Sequence, residues 1–407
     1  MEIRLRTLTP LWTGGVDRTP DRLHETGLIG SLRWWYEALV RGLGGYACDP
    51  TSEVPEARCA FDTKAYEHAK DKGQSEAEAI KAGLHQVCPV CYLFGTTGWA
   101  RLFQLRSIGE VSTTSLHFRT TLKLNRNWLQ NVLGGQDKSL EGKKIPYGVL
   151  RFQIIPRRHD AEYAITQLAL ILRFAADYGG IGAKTQYGFG QFALIDGVSE
   201  SVKSGLQALQ AKIGAGFLRS TGPTISTPFD LNHFVSLTYR ISQNALKDFL
   251  TDAAHLGAEE KKSESNYIPC VFDLRYRGSG KGKVLGLRAW LKKQGWTETT
   301  DPKNLGEIDM LLGSRSRWGN PEQQQAVDED VRTGSRVFFG MPYKNQKDSD
   351  EYTLRVWAFW PPELNPKVKN PQKLSVLLKS YLQNLFGSVQ PTTEMVGREW
   401  LTQFKVR

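Results

Sequence analysis

Residues 2–8, Glu-Ile-Arg-Leu-Arg-Thr-Leu, alternate apolar and polar positions, the period of a strand with one buried face. Residues 9–22 then read as a loop rich in Pro, Gly, Thr and Asp. From about Gly30 the period lengthens. Leu32, Trp35, Tyr36, Leu39, Val40 and Leu43 fall on one helical stripe, ended by Gly44-Gly45, with Arg33 in the first turn and off the stripe. Residues 46–87 are polar, with a surface helix near 64–83, and read as an insertion. Strand-like alternation returns over 101–106, 115–124 and 149–155, with a Gly- and Lys-rich turn at 134–143. Over 161–177, Ala164, Ile165, Leu168, Ile171, Leu172 and Ala175 mark a second helix, and 191–195 closes as a strand.

The pattern restarts after a connecting segment at 198–228 that holds a short helix and a Gly/Ser/Thr/Pro-rich tail. Strands are expected at 233–241, 268–276, 335–340 and 352–360, and helices at 245–255 and near 284–293. Leu374, Leu377, Leu378, Tyr381, Leu382 and Leu385 mark a last amphipathic helix. Long connections and adjacent strand pairs favour an α+β fold built from split βαβ units over a Rossmann sheet. A short internal echo supports two related domains. Leu32-Arg33-Trp34-Trp35 and Leu93-Phe94-Gly95 in the first half answer to Leu287-Arg288-Ala289-Trp290 and Leu312-Gly313-Ser314-Arg315 in the second. The expected domains are 1–197, with a cysteine-bearing insertion at about 46–92, and 229–407, joined by 198–228.

The length of 407 residues suits two or three domains, and the net charge of +11 favours a polyanionic partner. Eleven tryptophans add stacking capacity, although aromatics also fill cores. No apolar run approaches the roughly 20 residues of a membrane span. Met1-Glu-Ile-Arg-Leu-Arg lacks the apolar core and cleavage site of a signal peptide. The expectation is a cytoplasmic protein with no membrane partner. In that compartment five cysteines suggest metal or free thiols before disulfides.

Residues 179–190, Gly-Gly-Ile-Gly-Ala-Lys-Thr-Gln-Tyr-Gly-Phe-Gly, carry the most concentrated signal. Glycines let backbone approach a ligand closely, and Lys184 offers a point charge suited to phosphate. A tight turn is the alternative reading. A Walker loop does not fit, because Lys184-Thr185 does not stand in a Gly-x-x-x-x-Gly-Lys frame. A Rossmann fingerprint is excluded because the segment follows a helix and enters a strand. No nucleotide cofactor is expected. An RNA phosphate held by Gly180, Gly182, Gly188, Gly190 and Lys184 fits better.

Arg33 and Ser31 lie where a helix start and a guanidinium could share a phosphate. Arg18, Arg22, Arg101, Arg119, Lys123, Arg157 and Arg158 could extend a basic track, if they are more than a wet strand face. Trp12, Trp99, Tyr187 and Phe189 are the aromatics placed to stack on bases, whereas Trp34 and Trp35 read as core. Cys88-x-x-Cys91 is half a zinc site, with His85, Cys59 and Cys48 available to complete it. The alternative is thiols packed as apolar residues. Cys270 reads as core. Asp17 and Asp21, in the first loop, are the candidates if the chain cuts RNA, and ordinary turn aspartates otherwise. His24 and His159 are isolated.

Four motifs in order resemble the RAMP proteins of CRISPR effector complexes. They are Thr9-Pro-Leu-Trp-Thr-Gly-Gly15, Leu28-Ile-Gly-Ser-Leu-Arg33, Cys88-Pro-Val-Cys-Tyr-Leu-Phe-Gly95 and Gly180-Ile-Gly-Ala-Lys-Thr-Gln-Tyr-Gly-Phe-Gly190. The Ser-Leu-Arg-Trp-Trp-Tyr helix and the two-domain length resemble the first-subunit family of type III-B (Cmr) complexes. The resemblance implies tandem ferredoxin-like (RRM-like) domains. It also implies a place among other Cmr subunits near the 3′ part of the guide RNA and the incoming target RNA, and RNA binding without cutting. An RNA endonuclease using a loop aspartate, and an assembly subunit with little RNA contact, are the alternatives.

Overall fold

Strand β1 (Glu2–Thr7) buries Ile3, Leu5 and Thr7 and turns Glu2, Arg4 and Arg6 outward, as its alternation requires. In the computed structural model it lies inside a four-stranded antiparallel sheet. The structure describes residues 1–14, 20, 22–115, 144–157, 159–195, 199–223, 229–249, 266–278, 284–299, 304–314, 317–318, 325–326, 333–364 and 366–405. Asp17, Arg18, Asp21, Arg119, Lys123 and Arg158 lie outside these residues, as does most of the strand expected at 115–124.

Helix α1 (Glu25–Gly42) follows β1. Next come α2 (Thr63–Asp71), α3 (Glu76–Gly83) and α4 (Pro89–Phe94). After them run β2 (Phe103–Ser107), β3 (Val149–Pro156), α5 (Ala161–Tyr178) and β4 (Phe192–Leu194). The spatial order is β2-β3-β1-β4. With βαββαβ connectivity, this is a ferredoxin-like unit. Ile3 pairs with Phe152 and Leu5 with Leu150, so the register stacks apolar residues on the face that α1 and α5 cover. The single surface helix expected near 64–83 is two helices. Gly73 turns the chain at φ +74°, and a Ser75–Glu78 capping box restarts it.

Helix α6 (Ser199–Gly214) packs against α5. The second half then repeats the plan. Strand β5 (Phe234–Ser242) is followed by α7 (Gln243–Phe249), α8 (Val271–Tyr276), α9 (Leu287–Lys293) and α10 (Glu307–Leu312). Strands β6 (Val337–Phe339) and β7 (Glu351–Phe359), helix α11 (Pro371–Phe386), strand β8 (Thr393–Val396) and helix α12 (Glu399–Lys405) complete it. The order β6-β7-β5-β8 matches the first sheet. The fold is therefore α+β, with two tandem ferredoxin-like units and the cysteine-bearing insertion in the first. The strand expected at 268–276 is instead the short helix α8. Cys270, Val271, Phe272 and Leu274 are all fully buried, and a short apolar run buried on every side has no period to betray its type.

Eight of the nine residues of β7 are buried, because both faces of the second sheet are covered. Leu354, Val356 and Ala358 face the second half's own core, while Trp357 and Phe359 join the core of the first. Arg355 reaches across to the carbonyls of Ala176 and Gly179 at 2.8 and 3.1 Å, and the Ser236 hydroxyl donates to Tyr178 O at 3.1 Å. These donors satisfy the orphan carbonyls at the C-terminus of α5, where positive charge is favoured.

Candidate metal centre and nucleic-acid cleft

Cys48, Cys59, Cys88 and Cys91 converge until their sulfurs all lie within 4.8 Å of one another. All four are buried and none is in a disulfide. Cys88 caps α4, its sulfur accepting from Cys91 N at 3.5 Å, while Cys88 N donates to the Cys59 sulfur at 3.3 Å. Pro89 at the first helical position fixes this tight turn. A tetrahedral zinc thiolate, with Zn–S near 2.3 Å, needs sulfurs about 3.8 Å apart, so the set fits a closed structural site. The Cys48 and Cys91 sulfurs are 3.3 Å apart. Hydrogen bonds to Cys59, Cys88 and Cys91 push the Cys48 thiol up. The hydrogen bond from Cys48, with Arg33 adding to it, holds the Cys91 thiol below its usual range. His85 is not a member. Its Nδ1 lies 2.9 Å from Ala82 O and its Nε2 lies 3.6 Å from Asp62.

Arg33 faces these sulfurs. One nitrogen donates to Cys91 Sγ at 3.3 Å and lies 3.9 Å from Cys48 Sγ, another donates to Gly95 O at 3.4 Å, and Nε donates to Glu37 at 3.0 Å. The phosphate role expected from its place near a helix start has no helix terminus to draw on. Helix α1 begins at Glu25, five residues earlier than the sequence pattern suggested.

The glycine-rich segment links the two halves. Ile181 N donates to Gly190 O, Gly190 N to Pro10 O and Ala183 N to Trp12 O, all at 2.8–2.9 Å. Met341 N, from the second half, donates to Gly188 O at 3.2 Å, and the Gln191 side chain donates to Met341 O at 2.9 Å. A Cβ on Gly182 would meet Trp12 O at 2.6 Å, and one on Gly188 would meet Met341 Cγ at 2.5 Å. The glycines therefore serve close approach of protein to protein. Arg275, almost wholly buried, ties the segment down further by donating to Gln186 O and Val337 O.

Lys184 stands in the left-handed region at φ +58°, with its ammonium 3.4 Å from the centre of the Trp12 ring. Trp12 is buried and packs edge-on to Phe189, which is buried too. Tyr187 stacks on Phe272 of the second half at 5.1 Å. Of the proposed stacking aromatics, these three are occupied by the protein itself. Arg101 is half-buried, 5.9 Å from the Phe103 ring and away from the segment. Trp99 packs among Phe61, Tyr92 and His159 in the insertion.

A cleft of about 310 Å³ opens where Gly27 and Ser31 of α1, Gly180–Gln186 and the second sheet meet. Lys184, Thr185 and Gln186 supply its polar wall, and Trp34, Phe338 and Trp357 its aromatic one. Phe338 and Trp357 are cross-strand partners, stacked at 5.5 Å and 3°. Sequence reasoning missed both, and it assigned Trp34 wholly to core. Strand pattern marks a residue as inward-facing but not which cavity it borders. The cleft brings together Ser31, Gly180, Gly182 and Lys184 from the expected set, and leaves Arg33 and Arg101 elsewhere.

Residues 4–193 match the model of the RAMP superfamily. No curated protein is significantly similar in sequence. Among solved structures, the crystal structure of apo Cmr1 from Pyrococcus furiosus is 13% identical, with 97% of this chain and 98% of that one covered and a TM-score of 0.39. A cryo-EM structure of the type III-B Cmr-beta complex bound to cognate target RNA includes a chain 14% identical. There 94% of this chain and 99% of that one are covered, with a TM-score of 0.40. With its glycine-rich segment closing one ferredoxin-like unit against a second, the first half of the chain, residues 4–193, resembles the RAMP superfamily.

Proposed function

We propose that this chain is a non-catalytic RNA-binding subunit of a type III-B CRISPR effector complex, contacting the 3′ region of guide RNA, target RNA or both. The carrying observation is the cleft, where one lysine, two hydroxyls and an amide converge beside the half-buried Trp34 ring. Single-stranded RNA is held by such a mixture of cation and π-face. The net charge of +11 supports the same partner, and the type III-B assignment rests on the Ser-Leu-Arg-Trp-Trp-Tyr helix and the two-domain length. Each βαββαβ unit is taken as a domain, 1–197 and 229–407, with other Cmr subunits as neighbours. Four cysteines hold a structural zinc that staples the insertion. Among the described residues no helix is long and apolar enough to cross a membrane.

Lys184→Ala is expected to weaken single-stranded RNA binding and to make the salt dependence shallower by about 0.7 in log–log slope, one phosphate contact. Fluorescence anisotropy across a salt series checks this, and an unchanged slope removes Lys184 from the interface. Incubating the purified chain with labelled target RNA tests the endonuclease alternative. Cleavage that Asp21→Ala abolishes would replace the non-catalytic reading.

A further inference from the structure

The internal sequence echo superimposes two equivalent brackets, and their comparison assigns a role to Arg33. In the first half a six-residue helix, α4, ends at Gly95 with φ +88° and ψ 158°. In the second half a six-residue helix, α10, ends at Gly313 with φ +85° and ψ 142°. In each an arginine two residues before a buried tryptophan donates to that glycine's carbonyl. Arg33 reaches Gly95 O at 3.4 Å, and Arg288 reaches Gly313 O at 3.2 Å. The second contact of each guanidinium goes to the residue four positions before the glycine. For Arg288 this is the Asp309 carboxylate at 2.9 Å, and for Arg33 it is the Cys91 sulfur at 3.3 Å.

Cys91 thus occupies the place of a buried carboxylate, the anionic partner of a fixed arginine. A neutral thiol is a weak acceptor and a poor counter-ion for a guanidinium. A metal-bound thiolate is a full anion. A divalent ion among four thiolates is net negative, and burying that charge requires a paired cation. Glu37, the carboxylate paired with Arg33, is shared with Arg41 at 3.6 Å, so positive charge is in excess on this face of α1.

We propose that Arg33 is a positioning residue of the four-cysteine centre. It neutralises the metal-thiolate cluster through Cys91 and Cys48 while locking the Gly95 turn that presents Cys88 and Cys91. This rests on the reading of the four cysteines as a metal centre. It places Arg33 in the metal site and not on the RNA.

Zinc and cobalt(II) titrations of the full chain test it, with competition against a chromophoric chelator and the cobalt–thiolate absorption as readouts. Arg33→Gln is expected to bind metal at least tenfold more weakly and release it faster, within the 10–100-fold range for partners of metal ligands. Arg33→Lys, which keeps the charge but cannot fork between Gly95 and Cys91, should fall between. Arg288→Gln should leave metal affinity unchanged. Wild-type affinity in both Arg33→Gln and Arg33→Lys overturns the assignment, and if Arg33→Gln does not fold, Arg33→Lys alone decides it. Unchanged metal affinity with a shallower RNA salt slope would return Arg33 to the RNA and also overturns it. A wild-type chain that binds neither metal fails the centre itself, a separate result.

Discussion

Gly190→Ala is expected to destabilise the protein by more than about 4 kcal/mol, in the exceptional range that signals a specific steric fault. Gly190 sits at φ +80°, and a Cβ there would lie 1.8 Å from Ile181 O. The backbone penalty alone is on the order of 1 kcal/mol. The overlap is with a carbonyl, which cannot swing aside like a side chain. Relief requires the two arms of the segment to separate, breaking Ile181 N to Gly190 O and Gly190 N to Pro10 O. The fault spreads, because the same segment carries Gly188 against Met341 and Gln191 against the second sheet. Gly30→Ala is the control. Its Cβ would meet nothing within 4 Å inside α1, so a gain of about 0.5–1 kcal/mol is expected. Denaturant unfolding of both variants checks the pair. A Gly190→Ala cost near zero would mean that the segment does not have this packing.

The second large effect is expected at the four-cysteine cluster. Cys88→Ala is expected to abolish stoichiometric zinc and to cost several kcal/mol, roughly a 10 °C fall in the unfolding midpoint. Cys88 is fully buried and both caps α4 and sits against Cys59, so its removal opens a closed four-ligand site. Structural zinc sites hold on the order of 10 kcal/mol of binding free energy, part of which is folding free energy. Hydrogen exchange should localise the loosening to 46–92 and to the α1 face carrying Arg33. Cys270→Ala should retain zinc, because Cys270 is buried in the second core, apart from the cluster. Acidification should release the metal, since protons compete for the thiolates. Elemental analysis with chelator-induced unfolding checks these outcomes, and a full complement of zinc in Cys88→Ala would sink the ligand assignment.

The elements themselves were largely legible. The alternation at 2–8 became β1, the 161–177 stripe became α5, and the stripe from Leu374 became α11, because each has one buried face and a clean period. The start of α1 was read late, since its first turn carries Glu25 and Gly27 before the apolar stripe begins. β8 and α12 were not foreseen. Trp400 of α12 reaches the first core only by crossing between halves, 5.8 Å from Phe174. The cysteines were legible as a set of candidates. Their selection was not, because choosing Cys48 and Cys59 over His85 depends on how the insertion folds back.

The glycine-rich segment shows the division most clearly. Its glycines announce that backbone must pass close to something, and its charge and neighbours raised the expectation of RNA. Neither can say what lies against each glycine. That depends on contacts such as Gly182 with Trp12 and Gly188 with Met341, which join residues far apart in the chain. The same holds for Arg33. Its place near a helix start suggested phosphate, and only the packing of α4 beside α1 turned it to sulfur. Local period and composition settle what each segment is, since those depend on neighbours in the chain. What each side chain faces is set by long-range packing, which the linear order does not carry.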